Sequence, residues 1–188
     1  GCEQIVATND DQPKASGRME YESAFALGPL VGVSDPNAVI RASQFCDQAG
    51  IDTISAGVTI AWAMESFSKG ILTLEDTAGV DLRFGSVEAL MDTLEKIAGR
   101  RGLGHLLAEG SRHAAAEVGQ GSQAWAMHVK GLEMPGYEPR SLKTMALGLA
   151  VATRGACHNR SSAYEADFSS TVDRLKADER RGQITADG

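Results

Sequence analysis

Asp47 and Asp52 flank Gln48-Ala49-Gly50-Ile51, which puts two carboxylates around a glycine. Their surroundings set them at a corner between two helices. Ala38, Val39, Ala42, Phe45, Cys46 and Ala49 recur at helical spacing before the corner, and Ile54, Val58, Ala61, Trp62 and Glu65 after it. Gly50 is placed as the stop of the first helix, and Asp52 as the N-cap of the second. Such a turn can aim side-chain oxygens and free backbone N–H groups at one point. That suits a flat heterocycle with amino and ring N–H donors, such as a pterin. The same spacing also serves an ordinary helix–turn–helix corner.

Three further groups carry titratable chemistry. Glu20-Tyr21-Glu22 brings two carboxylates around a phenol. At helical spacing they point to different faces and make no natural acid–base pair, and acids at a helix start also complement its dipole. His158 follows a helix stopped by Gly155 and is flanked by Arg154, Cys157 and Arg160. A histidine there can carry a proton near neutral pH, or be a loop residue without a role. His105 and His113 are too far apart for an i, i+4 metal pair. Cys2, alone at the start, is no metal site by itself. No H-E-x-x-H, phosphate-binding glycine loop or G-x-S-x-G is present.

The elements that must position these residues are helical. Residues 1–18 read as a polar loop. A helix opens at Glu20-Tyr21-Glu22 and is interrupted by Gly28-Pro29, and Pro36 marks the next start. The helix after Asp52 runs to Lys69, with Gly70 as its stop. Residues 71–85 are a connector with one short extended piece at Val80-Asp81-Leu82-Arg83. Ser86 caps an amphipathic helix bearing Val87, Leu90, Met91, Leu94 and Ile97. A helical stretch covers 104–118, Ala124 to Lys130 is extended, Met134 to Pro139 is turn-rich, and a helix spans Arg140 to Thr153.

The chain has 188 residues, 43% hydrophobic but only 5% aromatic, with abundant Ala and Gly. That mix favours close-packed helices over a β-sandwich, so the expected fold class is all-α with at most short strands. A formal net charge of −7 with no basic patch speaks against nucleic acid, and no apolar run is long enough to span a membrane. Three scattered cysteines form no disulfide framework and fit a reducing cytoplasm; Cys46, on an apolar face, reads as a core residue. The Gly1-Cys2-Glu3 start is neither an initiator methionine nor a signal peptide, and reads as the interior of a longer protein.

Taken in order, these segments resemble the tungsten-containing aldehyde:ferredoxin oxidoreductases. Gly1-Cys2-Glu3-Gln4 is similar to the end of that family's C-x-x-C-x-x-x-C cluster motif, and Glu20-Tyr21-Glu22-Ser23-Ala24 to its E-Y-E stretch. Phe45 to Ser55 is similar to its D-x-x-G-L-D pterin motif and flanks. Lys69-Gly70, Lys130-Gly131-Leu132-Glu133, Tyr137-Glu138-Pro139-Arg140 and Arg154-Gly155-Ala156-Cys157-His158 follow in register. The resemblance implies a piece of two helical subdomains of a larger α+β enzyme: residues 1–120 as domain 2 and 121–188 as the start of domain 3, packed on an N-terminal β domain.

The resemblance also implies a cofactor set and roles. The family holds tungsten (or molybdenum) on two pterin dithiolenes, with Mg2+ on the pterin phosphates and a [4Fe-4S] cluster nearby. It oxidises small aldehydes to carboxylic acids and passes electrons to ferredoxin or another electron-transfer protein. By position, Cys2 would ligate the cluster. Asp47, Gly50, Ile51 and Asp52 would hold one pterin, with Thr53 beside them. Glu22 would be the acid–base group near tungsten, favoured over Glu20 by its spacing from Asp47, and His158 its partner. Tyr21 and Tyr137 would line the substrate pocket.

The departures are specific. Ile51 replaces the usual leucine. The remaining cluster cysteines and the second pterin motif lie outside these residues, so 188 residues alone are expected to be inactive and not to retain the cofactors. Arg41 stands where some members carry a glutamate for a metal between subunits, so no such metal is expected, although a homodimer remains compatible. Two alternatives are a branch with different chemistry, such as an aromatic thioester reductase, and a non-catalytic helical scaffold. The joint presence of Glu22, Asp47, Asp52 and His158 argues against the scaffold.

Overall fold

The computed structural model describes residues 3–160 and Asp167. The fold is mostly α-helical with short antiparallel strands, as the composition implies. The chain forms two compact units, residues 1–136 and 137–188.

The first unit opens with a two-stranded hairpin, β1 (Gln4–Ala7) and β2 (Ser16–Met19), where the sequence reads as a loop. Most of its residues face solvent, so no apolar alternation marks it. Thr8 closes it from both sides: its N–H donates to Ala15 O (2.9 Å), and its hydroxyl accepts from Ala15 N (3.0 Å). Arg41 forks onto Asp10 in the connecting loop at 2.9 and 2.6 Å, fastening the hairpin to the helix that carries Arg41.

Three helices then build the corner. Helix α1 (Tyr21–Leu27) ends at Gly28-Pro29. Helix α2 (Pro36–Ala49) starts with the Asp35 carboxylate accepting from Asn37 N at 2.9 Å. Helix α3 (Thr53–Ser68) is apolar on almost every side, as a helix surrounded by others must be. Ile60, Ala63 and Met64 are fully buried, and Trp62 reaches out to donate to Ser122 O at 3.0 Å.

Beyond α3, residues 80–83 form no strand. Arg83 N–H bonds back to Asp81 O at 2.9 Å, and Leu82 drops into the core. Helix α4 (Val87–Ala98) starts from Ser86, whose hydroxyl accepts from Ala89 N at 3.1 Å. The stretch 104–118 splits at Gly110 into α5 (Leu103–Leu107) and α6 (Ser111–Val118). Residues 124–130 give only a 3₁₀ turn through Trp125 and strand β3 (His128–Val129), which pairs with β4 (Leu132–Glu133). Lys130 (φ 57) and Gly131 (φ 89) make the two-residue turn, both left-handed as the tightest hairpins require.

In the second unit α7 spans Lys143–Val151, starting later than the sequence pattern suggests. Arg140 is taken up before the helix: its guanidinium grips Glu138 at 2.8 Å through both Nε and Nη2. The carboxylate that meets the start of α7 comes from Asp167, which accepts from Thr144 N (3.2 Å) and Met145 N (2.9 Å). A 3₁₀ turn, His158–Arg160, ends the described run.

Helices α1 and α3 touch backbone to backbone. A Cβ on Gly57 would lie 2.3 Å from Ala26 O and 2.7 Å from Ala26 Cβ. Gly57→Ala is therefore expected to force the two helices apart and destabilise the protein by about 1–3 kcal/mol, despite alanine's better helix propensity. A fall in the midpoint of chemical denaturation checks this.

Candidate functional site

The Asp47–Asp52 corner is built from two capping motifs. Gly50 sits in the left-handed region (φ 69), Gly50 N–H donates to Asp47 O at 3.3 Å, and Ile51 N–H to Cys46 O at 2.8 Å. These bonds close the end of α2. Asp52 then opens α3, one carboxylate oxygen accepting from Ser55 N at 2.8 Å. The Gly50 and Ile51 N–H groups are used inside the turn. What the corner offers is acceptors: the exposed carboxylates of Asp47 and Asp52 and the carbonyls between them.

Cys46, just inside the corner, is fully buried. Burial first, and then the charges of Asp47 and Asp52, push its thiol up to about 12. Both carboxylates thus act on one buried atom.

Glu22 lies in the first turn of α1 and is buried, whereas Glu20 is exposed at the N-cap. Glu22 Oε2 accepts from Gly136 N at 2.8 Å. Tyr21, half exposed, donates its hydroxyl to Gly136 O at 2.8 Å and stacks on Phe25 with ring centroids 6.3 Å apart. Its phenol is raised above the ordinary tyrosine range, by burial first and then by the Glu22 charge. Ser23 and Thr53 hydroxyls meet at 2.9 Å, so the helix carrying Glu22 is tied to the first residue of α3. The first unit therefore brings Tyr21 and Glu22 onto the helix bonded to the corner of Asp47, Gly50, Ile51, Asp52 and Thr53.

A cavity of about 320 Å³ opens beside the corner, lined on the α3 side by Gly50, Ile51, Asp52, Ser55 and Thr59. Its size falls within the roughly 300–1,000 Å³ of small-molecule sites. Thr59 is 1% exposed, and its hydroxyl has no hydrogen-bond partner among the described residues. Asp47 is not part of this wall; its carboxylate lies toward Gly17 of β2.

In the second unit, Tyr137 and His158 come together, their ring centroids 5.5 Å apart. Cys2 lies outside the described residues. Among the described residues no cluster of three or more His, Cys, Asp or Glu could hold a metal ion. Arg41, in its fork with Asp10, makes a purely internal pair.

Ser23, Ser55, Thr59 and Gly136 were not singled out by sequence reasoning. Ser55 and Thr59 do carry a signal, recurring with Asp52 at helical spacing on one face of α3. Ser23 and Gly136 carry none, because each acts through a partner distant in the chain. Glu133 belongs with them: buried in β4, its carboxylate caps α6 by accepting from Ser111 N (2.8 Å) and Oγ (2.9 Å).

Residues 1–187 match the family model described as aldehyde ferredoxin oxidoreductase, domains 2 & 3. The chain is 44% identical over 140 residues to tungsten-containing aldehyde ferredoxin oxidoreductases of Pyrococcus furiosus and Thermococcus kodakarensis, covering 74% of this chain and 23% of each relative. It is 31% identical over 153 residues to the WOR-like subunit of an aliphatic sulfonate oxidoreductase of Pyrococcus furiosus (78% and 24%). It is also similar to a chain of the active-site complex BamBC of benzoyl coenzyme A reductase bound to 1,5-dienoyl-CoA, with a TM-score of 0.62 and 27% identity, covering 77% of this chain and 22% of that one. The chain thus spans about a quarter of the length of these relatives.

A thiol held near 12 is neutral at pH 8, and only the thiolate alkylates. Cys46 is expected to resist iodoacetamide at pH 8 in the native protein and to react on unfolding, as its pKa returns to about 8.5. Site-resolved mass spectrometry checks this.

Proposed function

Because the chain belongs to the aldehyde ferredoxin oxidoreductase family, we propose that it is the part of a larger tungsten enzyme that holds one of the two pterins and supplies acid–base groups for oxidising an aldehyde to a carboxylic acid. The observation that carries this reading is the pair of exposed carboxylates at the Asp47–Asp52 corner, bonded through Thr53 and Ser23 to the helix that bears the buried carboxylate of Glu22.

The residues present fit a pterin. Its amino and ring N–H groups are donors, and the corner presents acceptors, two of them charged and so the stronger kind. Asp47, Gly50, Ile51 and Asp52 would hold the ring, with Thr53 next to it. Cys2 would be a ligand of a [4Fe-4S] cluster, and Mg2+ would neutralise the pterin phosphates. When bound, the tungsten bis-pterin supplies the two-electron redox step.

The chain's own residues manage protons and orientation. An aldehyde and water give a carboxylic acid, two protons and two electrons. Glu22 takes one of those protons as it helps to activate the water. His158 would donate a hydrogen bond to the aldehyde oxygen, with Tyr137, against which its ring lies, beside the substrate. A [4Fe-4S] cluster would hand the electrons on to ferredoxin or another electron-transfer protein, and the chain would pack against an N-terminal β domain of the same protein.

The likeness to benzoyl coenzyme A reductase supports a second reading, reduction of an aromatic thioester on the same scaffold. Identity of 44% to the aldehyde enzymes, against 27%, favours the first.

In the full-length protein, Asp47→Asn and Asp52→Asn are expected to lower tungsten and pterin content. Asn is as good an N-cap as Asp, so Asp52→Asn should keep the thermal midpoint, while Asp52→Ala should also cost about 1 kcal/mol of stability. Metal analysis beside thermal denaturation separates the two effects. Glu22→Gln and His158→Asn should keep tungsten and lose turnover roughly a hundredfold or more; unchanged aldehyde oxidation in either variant removes that residue from the mechanism.

A further inference from the structure

Gly136 is held at both of its polar backbone groups by two adjacent residues of α1. Its N–H donates to Glu22 Oε2, and its C=O accepts from the Tyr21 hydroxyl, each at 2.8 Å. Its φ lies outside the left-handed region, so the backbone conformation does not call for glycine. Close approach does. A Cβ at this position would lie 2.7 Å from Phe25 Cδ1 and 2.8 Å from Phe25 Cγ. Phe25 is itself stacked on Tyr21 and is one helical turn beyond the carboxylate.

The segment leading to Gly136 is anchored. Glu133 grips the start of α6 through Ser111, Met134 N–H bonds to Met127 O at 3.0 Å, and Pro135 is buried. The donor is therefore presented from a fastened hairpin, and the Glu22 carboxylate has to come to it. A charge-assisted bond from a fixed N–H restricts a glutamate side chain that would otherwise sample many rotamers.

From this we propose that Gly136 is a positioning residue for Glu22: its backbone N–H fixes the carboxylate in its working orientation, and the lack of a side chain, cleared by Phe25, allows that contact. The inference rests on Glu22 being the acid–base group. Gly136 does not touch substrate; it acts through Glu22.

Two measurements test it. In full-length, tungsten-free protein carrying 15N-glycine, Glu22→Gln is expected to move the Gly136 amide proton resonance upfield as the charged acceptor is lost. An unmoved resonance would overturn the contact. In the tungsten-loaded protein, Gly136→Ala is expected to cut kcat about tenfold to a hundredfold, the scale of an ångström misplacement, with tungsten content kept and KM for the aldehyde little changed. Adding Phe25→Leu to Gly136→Ala should recover most of the lost kcat. Full turnover in Gly136→Ala, or no recovery in the double variant, overturns the positioning role. If the resonance moves but Glu22→Gln turns over normally, the acid–base role of Glu22 fails, and the positioning role falls with it while the contact itself stands.

Discussion

Helices α1 and α3 meet backbone to backbone at Gly57, and the placement of the candidate site depends on that contact. Two helices normally pack 8–10 Å apart with side chains between them. Here the absence of one Cβ brings Ala26 O against the α3 backbone. Only at that separation can Ser23 on α1 bond Thr53 on α3 at 2.9 Å. The same contact brings a buried carboxylate on one helix into the neighbourhood of an acceptor-lined corner at the start of the other. The hairpin that presents Gly136 then docks onto the end of α1 from outside.

The corner shows how capping determines what a site can bind. A glycine-terminated helix uses its last N–H groups to close itself, which removes donors from the turn. An aspartate N-cap does the reverse, using one carboxylate oxygen on the new helix and keeping its negative charge. Joined directly, the two caps leave a corner with carbonyls and carboxylates and few donors. Such a corner suits a ligand rich in N–H groups and disfavours phosphate or another anion. A helix start alone would favour anions, but Asp52 already occupies the end of α3 with a negative charge.

Local signals carried much of this arrangement in the sequence, and contacts between distant residues carried the rest. Asp35-Pro36, Gly50, Asp52, Gly70 and Ser86 mark helix ends by chemistry that acts within four residues, and each stands where those signals put it. The β1–β2 hairpin had no such signal, because its inner face is only half-buried through Val6, Gly17 and Met19 and shows no run of apolar alternation. The late start of α7 depends on Glu138 engaging Arg140 ahead of the helix and on Asp167, well over a turn away in sequence, meeting its first N–H groups. The candidate site divides the same way. Asp47 and Asp52 are legible as a local pattern, and Glu22 could be separated from Glu20 only by its spacing from Asp47. Gly136 and Glu133, which hold Glu22 and the hairpin in place, act across more than twenty residues and left no periodic trace.

The low aromatic content has a consequence at the site. The cavity beside the corner is bordered by Ala49, Ala56, Ala98 and Ala108, and by Gly50 and Gly110. Side chains this small let helices approach closely, and with Ile51, Ile97, Arg100 and Leu107 they line an open space where the ends of α2, α3, α4 and α5 converge. A buried hydroxyl without a partner costs about 1–3 kcal/mol. Thr59 lines this cavity one helical turn beyond Ser55 and two beyond Asp52, with its hydroxyl buried and without a partner among the described residues. Valine at this position would have removed the unsatisfied oxygen at nearly the same volume.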